Sequence, residues 1–188
     1  MYFTKDNINN IGVDDFVRNY YKELQGAAIF VKNKKSRISR IISKFCKGQI
    51  KLNFLKDFVP SHIASCYKDS DEKLYILDIK PPKSSAQELE NYLKNTSDDY
   101  VICLRQVKLN LDKYNKYMRE RIGLHYGFIS AIQSIFKRIT FKHGMHCSEN
   151  YIYAYNQQGY YYDINANKST PANLLTYLVE KDNEKESV

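Results

Sequence analysis

No tryptophan occurs among the 188 residues, no apolar run approaches membrane-spanning length, and the four cysteines, at 46, 66, 103 and 147, include no close pair. The missing apolar run, with a polar start in Met1-Tyr2-Phe3-Thr4-Lys5-Asp6, leaves no transmembrane or targeting segment in view. The expected location is therefore a cytoplasm, or a phage or viral particle that carries the chain. Without close cysteine spacing neither a zinc ribbon nor a disulfide framework is indicated, and the four read as individual thiols. No internal repeat or low-complexity segment is evident, and no cofactor is expected.

What is present is a globular composition: 43% hydrophobic and 27% charged residues, with 17 tyrosines and 9 phenylalanines. That length suits a single sizeable core. So many tyrosines suit half-buried positions where the ring packs and the hydroxyl stays wet. The formal charge of +8 is partly concentrated in Lys32, Lys34, Lys35, Arg37, Arg40, Lys44, Lys47 and Lys51. The stretch from Lys35 to Lys47 could engage an anionic partner, a nucleic acid or a membrane surface. The simpler account is a solvated helix face, with Ile38, Ile41, Ile42 and Phe45 as its buried stripe.

Periodicity orders the rest. Val13, Phe16, Val17, Tyr20, Tyr21 and Leu24 predict one helix over residues 13–24, ended by Gly26. Ala27 to Val31 predicts a strand. Ser61 to Tyr67 and Leu74 to Ile79 predict a hairpin bounded by Pro60 and Pro81-Pro82. Ser85 with Glu88 matches a capping box for a helix that turns Ala86, Leu89 and Leu93 inward. A strand at Tyr100 to Arg105 follows, then helices over 111–118 and 126–139, one beginning at Cys147, and a short last one opened by Thr170-Pro171. Residues 181–188 read as a disordered charged tail. The order predicts an α+β fold, with a mostly antiparallel small sheet or partial barrel packed against helices.

Cys147 stands in Lys142-His143-Gly144-Met145-His146-Cys147-Ser148-Glu149, at the start of a helix whose Tyr151, Ile152 and Tyr155 share one face. Free amides and the positive dipole end at a helix start favour thiolate. The plain alternative is a buried cysteine acting as an apolar filler. Of the four histidines, His146 is a sequence neighbour of Cys147 and so a poor partner, while His125 and His143 lie in loops. His62 begins a strand and shares a face with Ala64 and Cys66, the small Ala64 leaving room for an incoming helix.

Asp78 is a charge inside the apolar run Leu74-Tyr75-Ile76-Leu77-Asp78-Ile79. If Tyr67 pairs with Lys73, His62 lies opposite Asp78 on one face, whereas a one-residue slip separates them. Cys147, His62 and Asp78 then form the nucleophile, base and orienter of a thiol hydrolase. Against this stand an ordinary strand-end histidine and an edge charge that discourages aggregation. A metal site from His143, His146 and Cys147 is a further alternative, resting on one pair at i, i+3 spacing.

The order of Ser61-His62-Ile63-Ala64, then the acidic Asp78, then His146-Cys147-Ser148-Glu149 resembles the circularly permuted NlpC-type papain-like proteins, including the YiiX-like group. Gly26-Ala27-Ala28-Ile29-Phe30 is similar to that family's glycine-led first strand, and Ser169-Thr170-Pro171-Ala172 to its late Thr-Pro element. The resemblance implies a papain-like domain over residues 26–180, with 1–25 as a helical extension, and cysteine peptidase or amidase chemistry. It implies Cys147 as nucleophile, His62 as base then acid, and Asp78 as orienter where the family commonly has glutamate. The Cys147 N–H and the Tyr126 hydroxyl would hold the oxyanion. Glu149 reads as structural. Cell-wall peptides, and lipid amides or acyl groups, are the implied substrate classes.

Overall fold

The computed structural model describes residues 1–33, 37–50, 52, 55, 57–126, 146–161 and 163–186. Its centre is strand β2, Ala28–Lys32, whose Ala28-Ile29-Phe30-Val31 run is buried along its length. An uninterrupted apolar strand needs cover on both faces, and here Ala28 and Phe30 enter one core layer while Ile29 and Val31 enter another. β2 lies in a six-stranded sheet of order β1-β6-β2-β3-β4-β5. The other strands are β1 Tyr2–Thr4, β3 His62–Lys68, β4 Leu74–Asp78, β5 Ser85–Glu88 and β6 Asp99–Cys103. Every pairing is antiparallel. The sheet is open, so the partial barrel is not formed.

One face carries α1 Lys5–Ile11, α2 Val13–Asn19, α3 Tyr21–Leu24 and α5 Leu89–Asn95, which supply Ile8, Phe16, Leu24, Leu89 and Leu93 to that layer. The other carries α6 Leu111–Arg119, α7 Cys147–Asn156 and α8 Pro171–Glu186, with Tyr114, Met118, Tyr151, Ile152, Leu175 and Leu178 in its core. The remaining helix, α4 Arg37–Cys46, buries Cys46 against Val59 and Ala172.

Several expected elements are rearranged. The helix over 13–24 is broken at Tyr20, whose φ of −114° ends α2 before α3 begins. Rather than a purely helical extension, residues 1–25 include β1, which pairs with β6 at the sheet edge. Ser85 to Glu88 is not the first turn of a helix: each residue pairs with β4, from Asp78↔Ser85 to Tyr75↔Glu88, and α5 begins only at Leu89. Ladder bonds to an open strand edge outweigh one capping box. Leu89 and Leu93 are nonetheless buried. The final helix continues through Glu186 instead of ending before a disordered tail, and the Met1 ammonium pairs with Asp182 upon it. Lysine and glutamate are good helix formers, so charge alone does not stop a helix.

Ile41, assigned by periodicity to the buried stripe of α4, is 55% exposed, while Ile42 packs partly against the small Cys46, Val59 and Ala172 cluster. Five large tyrosines, Tyr67, Tyr100, Tyr114, Tyr151 and Tyr155, are wholly buried rather than half-wet. The helix expected from Tyr126 to Ile139 lies, after Tyr126, outside the described residues, as does His143.

Candidate active site

His62 is the first residue of β3 and Asp78 the last of β4. In neighbouring antiparallel strands these positions fall at the same end of the sheet. Their register differs from the expected one by two residues: Ala64, not His62, is opposite Asp78, and Tyr67 faces Tyr75. The hairpin loop explains the shift. Asp69 N–H donates to the Lys73 carbonyl at 3.0 Å, and Glu72 takes φ +64°, so β3 runs on to pair Lys68 with Leu74. Glutamate is an uncommon choice for the left-handed region, and no turn motif in the sequence announces it. A shift of two preserves the face, because strand side chains alternate with a period of two. His62 and Asp78 are thus a diagonal pair, and Nε2 of His62 lies 2.6 Å from Oδ1 of Asp78.

Both groups are sheltered, with 18% of the His62 side chain and 7% of the Asp78 side chain exposed. Burial raises the Asp78 carboxyl, but the His62 charge, the His62 hydrogen bond and Lys80 overcome it and hold the group well below the usual carboxylate range. Burial alone would lower His62. The Asp78 and Cys147 charges raise it instead, to about 10. With Nε2 committed to Asp78, Nδ1 is the ring nitrogen left to address a reacting partner.

The candidate partner is Cys147, the first residue of α7 and 7% exposed. Tyr151 and Tyr155, one helical turn apart, place the helix: both hydroxyls donate to the carbonyl oxygen of Gly26, the residue that leads into β2. Gly26 is at φ +95°, and a Cβ there would stand 2.9 Å from both Arg105 Cδ and the Tyr155 hydroxyl, so glycine is required. The helix does not enter over Ala64. Ala64 and Cys66 pack in the layer with α1, α2 and α5, whereas Cys147 packs in the opposite layer with Ile63 and Tyr67. As the terminal residue of its strand, His62 bonds Asp78 and also interacts electrostatically with the Cys147 thiol, each raising or lowering the other's proton affinity.

Burial pushes the Cys147 thiol up, but the His62 charge, the His62 hydrogen bond and the adjacent His146 bring it down to about 5. His146 is the group that sequence spacing set aside. It caps α7: its Nδ1 accepts from Glu149 N–H at 3.3 Å, and Glu149 Oε2 accepts from His146 N–H at 3.3 Å. This reciprocal capping box has histidine where serine or threonine is usual. The i, i+3 pairing of His146 with Glu149 was the available signal, and it also explains the buried Glu149 as structural.

Two further groups feel the Cys147 charge. Tyr126 follows a short bridge between Lys83 and His125, and its N–H donates to the Pro82 carbonyl at 3.1 Å. Burial first, and then the Cys147 charge, raise its hydroxyl, which keeps it neutral. Cys46, at the end of α4, also feels the Cys147 charge but is raised mainly by burial, so it stays a thiol. Among the described residues no group of three or more His, Cys, Asp and Glu is placed to hold a metal ion. Of the proposed metal ligands His143 lies outside them, and His146 is engaged in the cap.

The set can therefore present a thiolate beside an imidazolium that is itself held by a carboxylate, with a neutral hydroxyl donor nearby. Compared with protein-family models, curated proteins and solved structures, the chain matches none.

Proposed function

We propose that the chain is a thiol-dependent hydrolase of the peptidase or amidase type, built as a circularly permuted papain-like domain. The observation that carries this reading is His62 bonded to Asp78 and electrostatically linked to the Cys147 thiol, which stands at a helix start. A buried filler cysteine does not need a low proton affinity, and an edge aspartate does not need to be sheltered. Also in its favour, the histidine strand precedes the cysteine helix, Gly26 leads into β2, and Pro171 opens the last helix.

In the reaction, Cys147 Sγ attacks the carbonyl carbon of an amide or ester, and the π electrons pass to the oxygen. That oxyanion takes hydrogen bonds from the Cys147 N–H and the Tyr126 hydroxyl. On collapse the C–N or C–O bond breaks, and the imidazolium of His62 gives its proton to the leaving group. Water, deprotonated by the now neutral His62, then attacks the thioester and releases the acid, restoring thiolate and imidazolium. Asp78 keeps the imidazole oriented and stabilises its charged form. Peptides, and lipid amides or acyl groups, are the substrate classes to screen.

The test is hydrolysis of a panel of fluorogenic peptide, amide and acyl esters, with labelling by a thiol-reactive amide mimic. Both should vanish in Cys147→Ala. Specific labelling that persists at another cysteine defeats the assignment.

A second reading rests on α4: Arg40, Ile41, Lys44 and Lys47 are all exposed, an aliphatic side chain set among cations. It makes the fold a binding module for nucleic acid or an anionic membrane surface. Salt-sensitive binding that survives Cys147→Ala and weakens in an Arg40→Glu, Lys44→Glu variant supports it. Among the described residues no helix is long and apolar enough to cross a membrane.

A further inference from the structure

The Asp78 carboxylate has two oxygens, and both are taken. Oδ1 meets His62 Nε2 at 2.6 Å, and Oδ2 accepts from the Lys80 ammonium at 2.5 Å. Lys80 is two residues past Asp78, just before Pro81-Pro82, and its side chain is 57% exposed. A lysine held only for solubility does not turn back onto a carboxylate that is 7% exposed.

We propose that Lys80 is a positioning residue of this site, acting through Asp78 as the fixed counter-charge that limits how strongly the carboxylate holds the His62 proton. The proposal rests on the reading of Cys147, His62 and Asp78 as one reacting set. With Lys80 the row thiolate, imidazolium, carboxylate, ammonium alternates in sign and sums to zero. Without it the same row carries a net negative charge beside the sulfur.

The chemical need is specific. An imidazolium must be stable enough to keep the thiolate, yet must release its proton to a leaving amine. An unbalanced, sheltered carboxylate favours the first and opposes the second. Lys80 tempers the carboxylate from the solvent side, where it interferes with neither Nδ1 nor the sulfur.

Among the described residues the other charged and titratable groups that influence this row are few. Tyr92 of α5 faces Asp78, and its hydroxyl is raised mainly by burial, so it stays neutral. His146, Tyr126 and Cys46 face Cys147. Among the described residues Lys80 is thus, besides His62, the group that brings positive charge to Asp78.

The experiment compares the full chain with Lys80→Met and Lys80→Arg. The rate of Cys147 alkylation by iodoacetamide is followed against pH, with Cys147→Ala as blank, and the His62 ring is titrated by NMR. Removing a partly exposed cation that is bonded to Asp78 should raise both midpoints by roughly half a pH unit, His62 more than Cys147. Lys80→Arg should restore them. About 1 M salt should bring the parent chain towards Lys80→Met, because an exposed charge is screened at that strength. Unmoved midpoints overturn the proposal. So does a fall in the His62 midpoint, which would mean that Lys80 merely holds Asp78 in place. Midpoints that rise in a chain with no hydrolytic activity would uphold the Lys80 role while the hydrolase reading fails. Hydrolysis with midpoints indifferent to Lys80 has the opposite meaning.

Discussion

Asp78 pairs in the sheet with Ala64 yet gives its Oδ1 to His62, two residues along the neighbouring strand, at 2.6 Å. Diagonal neighbours on one face stand about 7–8 Å apart, a distance that an aspartate and an imidazole together can bridge. The short carboxylate therefore suits this register, and a longer glutamate is not required. The pair also fixes which imidazole nitrogen is free, and so where a reacting group must stand.

The pH dependence of kcat/KM should be bell-shaped. On the proposed reaction Cys147 attacks as thiolate, so activity should be lost as pH falls through about 5. On the same proposal His62 protonates the leaving group, so activity should be lost again as pH rises through about 10. A profile rising only near the ordinary thiol range would show that no ion pair forms.

Replacing Asp78 with asparagine keeps the shape but removes the charge. Activity should drop on the order of 10²–10⁴-fold, and the alkaline limb should move down in pH, because the imidazolium loses its main support. Steady-state rates across pH give both numbers.

At His146 two effects can be separated. His146→Ala should cost about 1 kcal/mol of stability through the lost cap, and should raise the thiol midpoint. His146→Asn should recover the stability without recovering the thiol midpoint, as read by urea unfolding and by alkylation rate against pH.

Tyr126→Phe removes only a hydroxyl that feels the Cys147 charge. If that hydroxyl holds the oxyanion, kcat should decrease on the order of 10²-fold while the alkylation rate of Cys147 is unchanged. Equal losses in both would assign Tyr126 to shaping the thiol instead.

Gly26→Ala should be among the more damaging single changes. The added Cβ meets Arg105 and Tyr155 at 2.9 Å on a backbone with φ +95°, and it disturbs the carbonyl that seats α7. Destabilisation of roughly 2–4 kcal/mol is expected, read as a lower thermal midpoint.

The sequence by itself determined the elements with strong local signals. Continuous apolar residues mark β2, the alternation and bounding prolines mark the hairpin, and Pro171 marks the start of α8. It also placed Cys147 at a helix start and put His62 and Asp78 on the same face, because face depends only on parity and survives a register shift of two. Tertiary structure decided the rest. The strand at Ser85 to Glu88 exists because β4 offers it an edge, and β1 because β6 does, neither of which is a local property. The register follows from a left-handed glutamate in the hairpin loop. The thiol lies across the sheet from Ala64, because tyrosines far along the chain from Gly26 seat α7 on the opposite layer. His62 at the strand end is the residue of β3 that influences it. His146 and Lys80 act on the site through a helix cap and the second oxygen of a carboxylate, contacts that exist only once both partners are held in place.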